Sequence, residues 1–292
     1  MECNQQRRQC CCVRTFGEEL ATSDSVAACD YSPDMARLSK LSRSIEGRIA
    51  LVTGAASGMG RATAQLFADE GAVVACVDRS PHVQDVAEEI VAAGGTAASY
   101  QCDLSDVEAI HATVATVRVA HGPIDILINN AGVSLGSPID DRDFETTWAQ
   151  TFAVNIDAQM HLVRATLDDL KRNGDGRIVN IASTEGLAAT TRLAPYTASK
   201  HAVVGFTKAL AVELGVHGVT ANCVCPGPIH TGMTEVIPDE NKEIYARRRV
   251  PMKRYGNPEE VAHMTLSLVL PASSFVTGAV VAVDGGLSVK SN

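Results

Sequence analysis

From Ile49 onward, short apolar runs alternate with longer amphipathic stretches along the chain. The runs are rich in Val and Ile, and several are apolar almost throughout, as strands that are covered on both faces must be. Alternation repeated this often predicts an α/β fold, in which a doubly wound parallel sheet of about seven strands carries helices on both faces. We expect strands at 49–53, 73–78, 97–102, 125–130, 177–182, 219–225 and 279–284.

The N-terminal segment differs from the rest of the chain. It shows no sustained period of 2 or 3.6 residues, and it lacks the basic start, apolar core and cleavage site of a signal peptide. We expect residues 1–45 to form a disordered extension, and Met35, near the abrupt change, is an alternative start of the chain. No linker rich in Pro, Gly or Ser divides the remainder, so residues 46–292 are predicted to form a single domain.

The charge and hydropathy of the chain limit its partners. A formal charge of −9 and a pI of about 5.4 argue against nucleic acid, because a phosphate-binding surface needs an excess of basic residues. No apolar run approaches the roughly 20 residues that are needed to cross a bilayer, so we expect no membrane partner.

The nine cysteines bear on metal binding and on the compartment. Their spacing lacks paired C-x-x-C elements with histidine, so we expect no metal site. Cys223 and Cys225 lie two apart in a predicted strand, and we interpret them as small buried side chains rather than a redox pair. A reduced, cytoplasmic compartment fits this usage best.

A glycine-rich turn, TGAASGMG at 53–60, follows the first predicted strand directly and precedes a predicted helix. Glycines let the backbone turn tightly and approach a ligand closely, and the helix N-terminus offers free N–H groups and partial positive charge. The spacing G-x-x-x-G-x-G differs from the longer-known dinucleotide fingerprint G-x-G-x-x-G. Its place between the first strand and the first helix predicts the pyrophosphate cradle of a Rossmann-like fold.

The second predicted strand ends in Asp78, eighteen residues after Gly60. An acidic side chain at this position accepts hydrogen bonds from an adenosine ribose and repels a 2′-phosphate, which favours NAD over NADP. Two alternatives stay open. An aspartate at a strand end also caps a following helix, and the neighbouring Arg79 is a suitable partner for a 2′-phosphate.

Tyr196 and Lys200 are spaced four apart, so on a helix they share one face and stand one turn apart. A free tyrosine has a pKa near 10, which makes it neither a useful base nor a poised acid at neutral pH. At about 4 Å and an effective dielectric constant of about 20, phenolate and ammonium attract by roughly 4 kcal/mol, or about three pKa units. The lysine is therefore predicted to make the phenol usable for proton transfer. Taken alone, the segment Tyr196–Lys200 fits a surface tyrosine and a solvated lysine better.

Further motifs follow in order, after predicted strands or in the helices behind them. They are Asp103-Leu104, Asn129–Gly132, Asn155, Ser183, Tyr196–Lys200 and Pro226–Thr231. Together with the glycine-rich turn, these motifs make residues 47–287 resemble the short-chain dehydrogenase/reductase family in its single-domain form. The resemblance covers most of the chain, and it implies that residues 46–292 form a single Rossmann-fold dehydrogenase domain.

The resemblance implies a catalytic set of Asn155, Ser183, Tyr196 and Lys200. Ser183 would bond the substrate oxygen through its hydroxyl, and Tyr196 would exchange a proton with that oxygen. Lys200 would lower the pKa of the tyrosine and bond the nicotinamide ribose. Asn155 would hold a water that links the lysine to solvent and gives the proton a route out.

The same resemblance implies that NAD is the cofactor. Asp103 and Leu104 would surround the adenine, residues 130–132 would follow the cofactor ribose, and Ile229 and Thr231 would meet the nicotinamide amide. Asp103 and Thr231 also suit helix caps, and the two roles are compatible. The implied cofactor residues are Gly54, Ser57, Gly58, Met59, Gly60, Asp78, Asp103, Leu104, Asn130, Ala131, Gly132, Tyr196, Lys200, Pro226, Gly227, Ile229 and Thr231.

Substrate residues are expected in the loops at the carboxyl ends of the strands. Glu185, two after the serine, has two interpretations: a bond to a polar substrate group, or a solvated loop carboxylate, which is the commoner case. The basic run Arg247–Arg249 suits an anionic substrate such as an acyl thioester, and equally a solvated helix end or a subunit contact. The candidate pocket residues are Leu135, Thr184, Glu185, Thr190, Leu193 and the segment 230–252.

These residues predict an NAD-dependent oxidoreductase that interconverts a small-molecule secondary alcohol and a ketone by hydride transfer. One alternative is a 3-oxoacyl thioester reductase, although such reductases usually prefer NADPH and Asp78 argues against that cofactor. Another alternative is a non-catalytic, dinucleotide-sensing member of the fold, which the presence of Ser183, Tyr196 and Lys200 disfavours. The resemblance further implies a homodimer or a homotetramer.

Overall fold

Seven parallel strands form one sheet in residues 39–290, the part of the chain that the computed structural model describes. The strands are β1 (Ile49–Thr53), β2 (Val73–Asp78), β3 (Thr96–Gln101), β4 (Ile126–Asn129), β5 (Arg177–Ile181), β6 (Thr220–Pro226) and β7 (Val280–Val283). Their order across the sheet is β3-β2-β1-β4-β5-β6-β7, which confirms the predicted doubly wound parallel sheet. The predicted N-terminal extension lies almost entirely outside the described residues.

The predicted strands match the observed strands to within one residue at each end. Their burial varies with their place in the sheet. The central strands β1, β4, β5 and β6 are buried throughout, as the apolar runs predicted. Strands β3 and β7 are only half-buried, because an edge strand has a neighbour on one side alone.

Helices cover both faces of the sheet. In the described chain they are α1 (Gly58–Asp69), α2 (Val83–Ala92), α3 (Val107–His121), α4 (Phe144–Phe152), α5 (Ala158–Lys171), α6 (Ala194–Leu214), α7 (Gly232–Glu235), α8 (Asp239–Arg249) and α9 (Pro258–Val269). One face carries α1, α2 and α9, with Phe67 and Val261 in its core. The other face carries α3, α5 and α6, with Ile110, Leu162 and Leu214 in its core. Among the described helices, none has the length and apolar character that crossing a bilayer requires.

Helix α6 presents the Tyr196–Lys200 pair. It begins two residues before Tyr196, with Pro195 in its first turn. Proline suits that turn because its φ is already helical and the N–H group that it lacks would have no partner there. The first turn of α6 is therefore well defined, and it sets the position of the phenol.

Helix α4 runs into a π-helical turn, Ala153–Asp157, before α5 begins. Asn155 lies in the middle of this turn and is fully buried. Along α4, the rings of Trp148 and Phe152 stack with their centroids 4.5 Å apart. Single π-helical turns within helices are frequent at functional sites.

Cys223 and Cys225 lie on β6 in a third apolar cluster, together with Val203 and Val204 of α6. Both thiols are free and fully buried, with their sulfur atoms 4.0 Å apart. The prediction that they are small buried side chains is confirmed. In the described residues, no group of three or more His, Cys, Asp or Glu side chains is placed to hold a metal ion.

The strand order reverses at β1 and β4, which are neighbours in the sheet although two strands separate them in the chain. In sheets of this kind, ligands bind in the crevice outside the carboxyl ends of the strands, at the point of reversal. The glycine-rich turn leaves β1 at this edge, and the Asn129–Gly132 motif leaves β4 beside it.

Candidate active site

A cleft of about 370 Å³ opens at the carboxyl edge of the sheet, where the strand order reverses. It brings together most of the predicted cofactor residues: Gly54, Ser57, Gly58, Met59, Asp78, Asp103, Leu104, Asn130, Ala131, Gly132, Tyr196, Lys200 and Thr231. Its walls also contain residues that were not predicted as cofactor ligands: Arg79, Cys102, Val133, Val154, Ile181, Ala182, Gly232 and Met233. Most of these are apolar or small, and such residues carry no chemical signature in a sequence.

The glycine-rich turn and the first turn of α1 form one end of the cleft. Gly54 has a φ of +68°, and a Cβ at this position would lie 2.7 Å from Nδ2 of Asn130. Ser57 precedes α1 without capping it through its side chain, and the first turn of the helix contains no acidic residue. The positive N-terminal end of α1 thus opens on the cleft with uncapped N–H groups. These residues fit the pyrophosphate of a dinucleotide.

Six predicted site residues of the described chain lie outside the walls of this cleft: Gly60, Asn155, Ser183, Pro226, Gly227 and Ile229. Gly60 faces the turn instead, since a Cβ there would lie 2.0 Å from the carbonyl oxygen of Gly54. Gly227 likewise packs against Asp284, and Ile229 is buried in the core. The structure therefore gives these two glycines a packing role beneath the cleft.

Thr53, which sequence reasoning did not single out, ties the two central strands together. Its hydroxyl oxygen accepts hydrogen bonds from the backbone N–H groups of Asn130 (2.9 Å) and Ala131 (3.1 Å). The Asn130 side chain returns a bond from Nδ2 to the carbonyl oxygen of Thr53, at 2.8 Å. These bonds fix the motif after β4 against the glycine-rich turn, and so hold two walls of the cleft together.

Asp78 and Arg79 both line the cleft, at the end of β2. The Asp78 carboxylate accepts one backbone N–H at each oxygen, from Ala56 at 3.1 Å and from Ser80 at 2.9 Å. Each oxygen keeps a free lone pair for a further donor. The helix-cap alternative for Asp78 is not observed, because the N-cap of α2 is His82.

Two predicted cofactor residues were also expected to cap helices. Thr231 is the N-cap of α7 and lines the cleft as well. Asp103 lines the cleft but does not cap α3, whose N-cap is Asp106. The Asp103 carboxylate instead accepts bonds from the backbone and the side chain of Ser105, and these bonds hold its pKa below the ordinary value.

Ser183 follows β5 and begins the short helical turn Thr184–Gly186. Its Oγ accepts the backbone N–H of Glu185 at 3.1 Å. The Ser183 hydroxyl lies close to the phenol of Tyr196, and its interaction with the phenol oxygen favours the ionised phenol. The serine and the tyrosine, predicted from a spacing of thirteen residues, are therefore brought together.

Lys200 is buried, and its Nζ donates to the carbonyl oxygen of Ile181 at 2.9 Å. The same nitrogen lies 5.6 Å from the centroid of the Tyr196 ring. Burial lowers the pKa of the Lys200 amino group to about 8. The Lys200 amino group consequently loses its positive charge at a lower pH than an ordinary lysine does.

The expected lowering of the tyrosine pKa is not observed. Burial raises the pKa of Tyr196 above its ordinary value, and the negative charge of Glu185 acts in the same direction as burial. The prediction considered only the ammonium beside the phenol, whereas the desolvation of the phenolate is the largest influence on the pKa of Tyr196. At neutral pH the phenol therefore carries its proton.

Asn155 connects the loop after β4 to α6. Its Oδ1 accepts the backbone N–H of Val133 (2.8 Å), and its Nδ2 donates to the Val133 carbonyl oxygen (3.0 Å) and to Oγ of Ser199 (3.0 Å). Ser199 in turn donates to the carbonyl oxygen of Tyr196 at 2.7 Å. The side chain thus positions the first turn of α6; its role in holding a water stays a prediction.

The structure replaces both interpretations of Glu185. Its carboxylate is neither free for a substrate nor merely solvated, because it accepts three hydrogen bonds from Thr190 and Thr197. The loop before α6 also meets the loop after β4, where the backbone N–H of Ser137 donates to the carbonyl oxygen of Arg192 at 2.9 Å.

The basic run at 247–249 lies in the last turn of α8 and is exposed. Arg247 pairs with Glu243 one turn earlier, at 3.5 Å. Positive charge near the C-terminus of a helix is favourable in itself. The structure therefore favours the solvated helix end over an anionic-substrate site for these three arginines.

A family model described as enoyl-(acyl carrier protein) reductase matches residues 54–288 of this chain, from the glycine-rich turn to the end of the sheet. The chain belongs to the short-chain dehydrogenase/reductase family. The resemblance that the ordered motifs indicated is thereby confirmed. Members of the short-chain dehydrogenase/reductase family are oxidoreductases that use a nicotinamide dinucleotide, which is the ligand class that the cleft fits.

Relatives within the short-chain dehydrogenase/reductase family align over nearly their whole length. The 3-oxoacyl-[acyl-carrier-protein] reductase FabG of Thermotoga maritima is 37% identical over 246 residues, covering 84% of this chain and 99% of the relative. The gluconate 5-dehydrogenase of Gluconobacter oxydans is 38% identical over 249 residues, covering 85% and 97%. A crystal structure from Beutenbergia cavernae, of a candidate NAD(P)-dependent gluconate 5-dehydrogenase with NADP bound at low occupancy, superposes with a TM-score of 0.80 at 38% identity, covering 85% and 99%.

Proposed function

We propose that this oxidoreductase interconverts a secondary alcohol and a ketone, with Tyr196 exchanging the proton. The observation that carries the proposal is the position of Tyr196 and Lys200 on one face of α6, in the wall of the cleft. Ser183 supports it, because its hydroxyl lies close to the same phenol. The nicotinamide, when bound, supplies or accepts the hydride, and the chain places the substrate and moves the proton.

Each proposed catalytic residue has contacts that suit its role. The Ser183 oxygen accepts a backbone N–H, and its one hydroxyl hydrogen can turn from the Tyr196 phenol to a bound substrate oxygen. Tyr196 carries its proton at neutral pH, which is the form that a general acid needs to protonate the oxygen of a ketone as it is reduced. Lys200, bonded to Ile181, offers its remaining hydrogens to the cleft. Asn155 holds the helix that carries both groups.

We propose NAD as the preferred dinucleotide. The Asp78 carboxylate lies in the cleft with a free lone pair on each oxygen, which suits the hydroxyls of an adenosine ribose. Its negative charge opposes a 2′-phosphate. Two observations support NADP instead: Arg79 lines the same part of the cleft, and the Beutenbergia cavernae structure holds NADP. The preference is therefore best decided by a substitution.

Replacing Asp78 with alanine is expected to weaken NADH binding about 10-fold or more, because a hydrogen bond to a charged group contributes about 1.5–3 kcal/mol. NADPH binding should weaken less, or strengthen, since the charge that repels its 2′-phosphate is gone. The gap between the two cofactors would narrow. Fluorescence titration of both cofactors against wild type and variant measures this gap directly.

Asp78→Asn is the matched control for this prediction. The amide removes the charge and its oxygen can still accept the backbone N–H of Ala56, while the bond from the Ser80 N–H is lost because an NH2 group accepts no hydrogen bond. We expect Asp78→Asn to gain affinity for NADPH while it loses less NADH affinity than the alanine variant. If the ratio of NADH affinity to NADPH affinity were unchanged in both variants, the proposed role of Asp78 in selecting NAD would be contradicted.

A 3-oxoacyl thioester reductase is the second candidate, and the likeness to FabG of Thermotoga maritima favours it. A single panel distinguishes the candidates: NADH or NADPH with simple ketones, with a keto-gluconate and with a 3-oxoacyl thioester. Turnover of the thioester alone would establish the second candidate. Binding of cofactor without any turnover would support the non-catalytic, sensing alternative, and binding of neither cofactor would refute the proposed cleft function.

We further propose that residues 46–292 form one catalytic domain and that the chain forms a homodimer or a homotetramer. Apolar residues on the surface of neighbouring helices support an assembly: Trp148 of α4 is 39% exposed, and Val212 of α6 is 83% exposed. Helices α4 and α6 pack against each other. Light scattering of the purified chain tests this, and a monomeric mass would reject it.

A further inference from the structure

The carboxylate of Glu185 is the centre of a hydrogen-bonded group at the edge of the proposed active site. Oε2 accepts the backbone N–H of Thr190 (2.9 Å) and the hydroxyl of Thr197 (2.7 Å), and Oε1 accepts the hydroxyl of Thr190 (2.6 Å). Thr190 belongs to the loop before α6, and Thr197 to the first turn of α6. One side chain thus joins the turn that carries Ser183 to the helix that carries Tyr196.

The same loop is held from a second side. Arg192 has a φ of +65°, a left-handed conformation that costs a non-glycine residue free energy and persists only where the surroundings enforce it. Its carbonyl oxygen accepts the backbone N–H of Ser137, from the loop after β4. The segment 187–193 is therefore fixed between Glu185 on one side and Ser137 on the other, immediately before the catalytic helix.

The contacts of Glu185 also bring its charge close to Tyr196. Its Oε2 lies 2.7 Å from the hydroxyl oxygen of Thr197, the residue that follows Tyr196 in α6, and its negative charge opposes ionisation of the phenol. The other polar groups near the phenol are Ser183 from the end of β5 and Lys200, whose Nζ lies 5.6 Å from the ring centroid. On α8, Tyr245 is influenced by Glu185 as well as by Arg249. Glu185 is the anion of this set that acts on the Tyr196 phenol, and its three bonds keep it in place.

We propose that Glu185 is a positioning residue of this active site. Its carboxylate ties the loop 187–193 to the first turn of α6 and holds negative charge beside Tyr196, so that the phenol is kept as a proton donor. This inference rests on the proposed function of Tyr196. It explains why an ionisable side chain two residues after Ser183 is committed to protein contacts rather than to a substrate.

Glu185→Gln is the sharpest variant, because it removes the charge and can keep all three hydrogen bonds. With its amide oxygen in the place of Oε2, the side chain still accepts from the Thr190 backbone and from Thr197, while its amide nitrogen donates to the Thr190 hydroxyl. Thr197→Val is the matched counterpart, since it removes one bond and leaves the charge. Glu185→Asp restores the charge on a shorter side chain.

The direct readout is the ionisation of Tyr196 itself, followed by phenolate absorbance in a pH titration. The chain has five tyrosines, so each background is measured with and without Tyr196→Phe, and the difference isolates the one phenol. We expect Glu185→Gln to ionise Tyr196 at lower pH than wild type, and Thr197→Val and Glu185→Asp to stay near the wild-type midpoint. An identical midpoint in Glu185→Gln and wild type would overturn the proposal.

The kinetic readout is the alkaline limb of ketone reduction, where the proton donor is lost. For each enzyme, the rate at a given pH on this limb is divided by that enzyme's plateau rate. This fraction should be about fivefold lower in Glu185→Gln than in wild type, as expected for removal of one nearby charge. A limb that does not move overturns the proposal. The titration needs no turnover, so a failed inference about Glu185 is distinguished from a failed function for Tyr196, which full activity of Tyr196→Phe would reveal.

Discussion

Replacing Tyr196 with phenylalanine is expected to lower kcat by about 10²- to 10⁴-fold, which is the usual contribution of a general acid or base. The ring stays in place on α6, and only the hydroxyl that exchanges the proton is lost. Cofactor affinity should stay close to that of wild type, because the glycine-rich turn and Asp78 are untouched. Steady-state turnover and a cofactor titration on the same preparation measure both quantities.

Tyr100→Phe is the matched control for this result. Tyr100 lies on the edge strand β3, and its hydroxyl bonds Nε2 of His121 at 2.9 Å, away from the cleft. Loss of that bond should cost about 1 kcal/mol of stability and leave turnover intact. Retention of full turnover in Tyr196→Phe would remove Tyr196 from the reaction, and a large loss of cofactor affinity would show that its hydroxyl serves binding as well.

Replacing Gly60 with alanine is expected to cost more than about 3 kcal/mol of unfolding free energy. The added Cβ would lie 2.0 Å from the Gly54 carbonyl oxygen and 2.5 Å from Nδ2 of Asn130. One of these contacts is with backbone, so α1 must shift away from the turn to relieve the overlap. Ser57 and Gly58, which line the cleft at the start of α1, would shift with the helix. The variant should therefore bind cofactor more weakly and gain less unfolding free energy from it.

Gly205→Ala controls for the effect of a methyl group in a helix. Gly205 is exposed in α6, and a Cβ there has no atom within 4 Å. Alanine should therefore stabilise the chain by about 0.5–1 kcal/mol, since it is the better helix former. Urea unfolding of both variants, with and without cofactor, tests the pair. Equal stability of the Gly60 and Gly205 variants would contradict the close packing under the turn.

The sheet was predictable because its signal is local. Each strand is a short apolar run, because a strand that is buried on both faces has apolar side chains at successive positions. The bounds of β1 and β2 therefore match the expected bounds residue for residue. The family motifs were predictable for a similar reason, since each occupies a fixed place after a strand. The cofactor cleft follows from those two facts and from the reversal of strand order.

Other features depend on contacts that no local pattern records. The partners of Glu185 lie five and twelve residues away, one in a loop without periodicity and one in the first turn of α6, so its role could not be predicted. The π-helical turn at Asn155 is a deviation from the helical period that its neighbours share. For Tyr196, the spacing to Lys200 predicted a lowered pKa, whereas burial, which the whole fold sets, raises the pKa of the phenol.

The stacked pair on α4 allows intrinsic tryptophan fluorescence to be used on the unmodified protein. Trp148 is the sole tryptophan of the chain, and it stands against Phe152 one turn before the π-helical turn that carries Asn155. Its emission therefore reports on one junction rather than on an average over many sites. A wavelength shift on addition of a ligand would locate movement there, while circular dichroism follows the remainder of the fold independently.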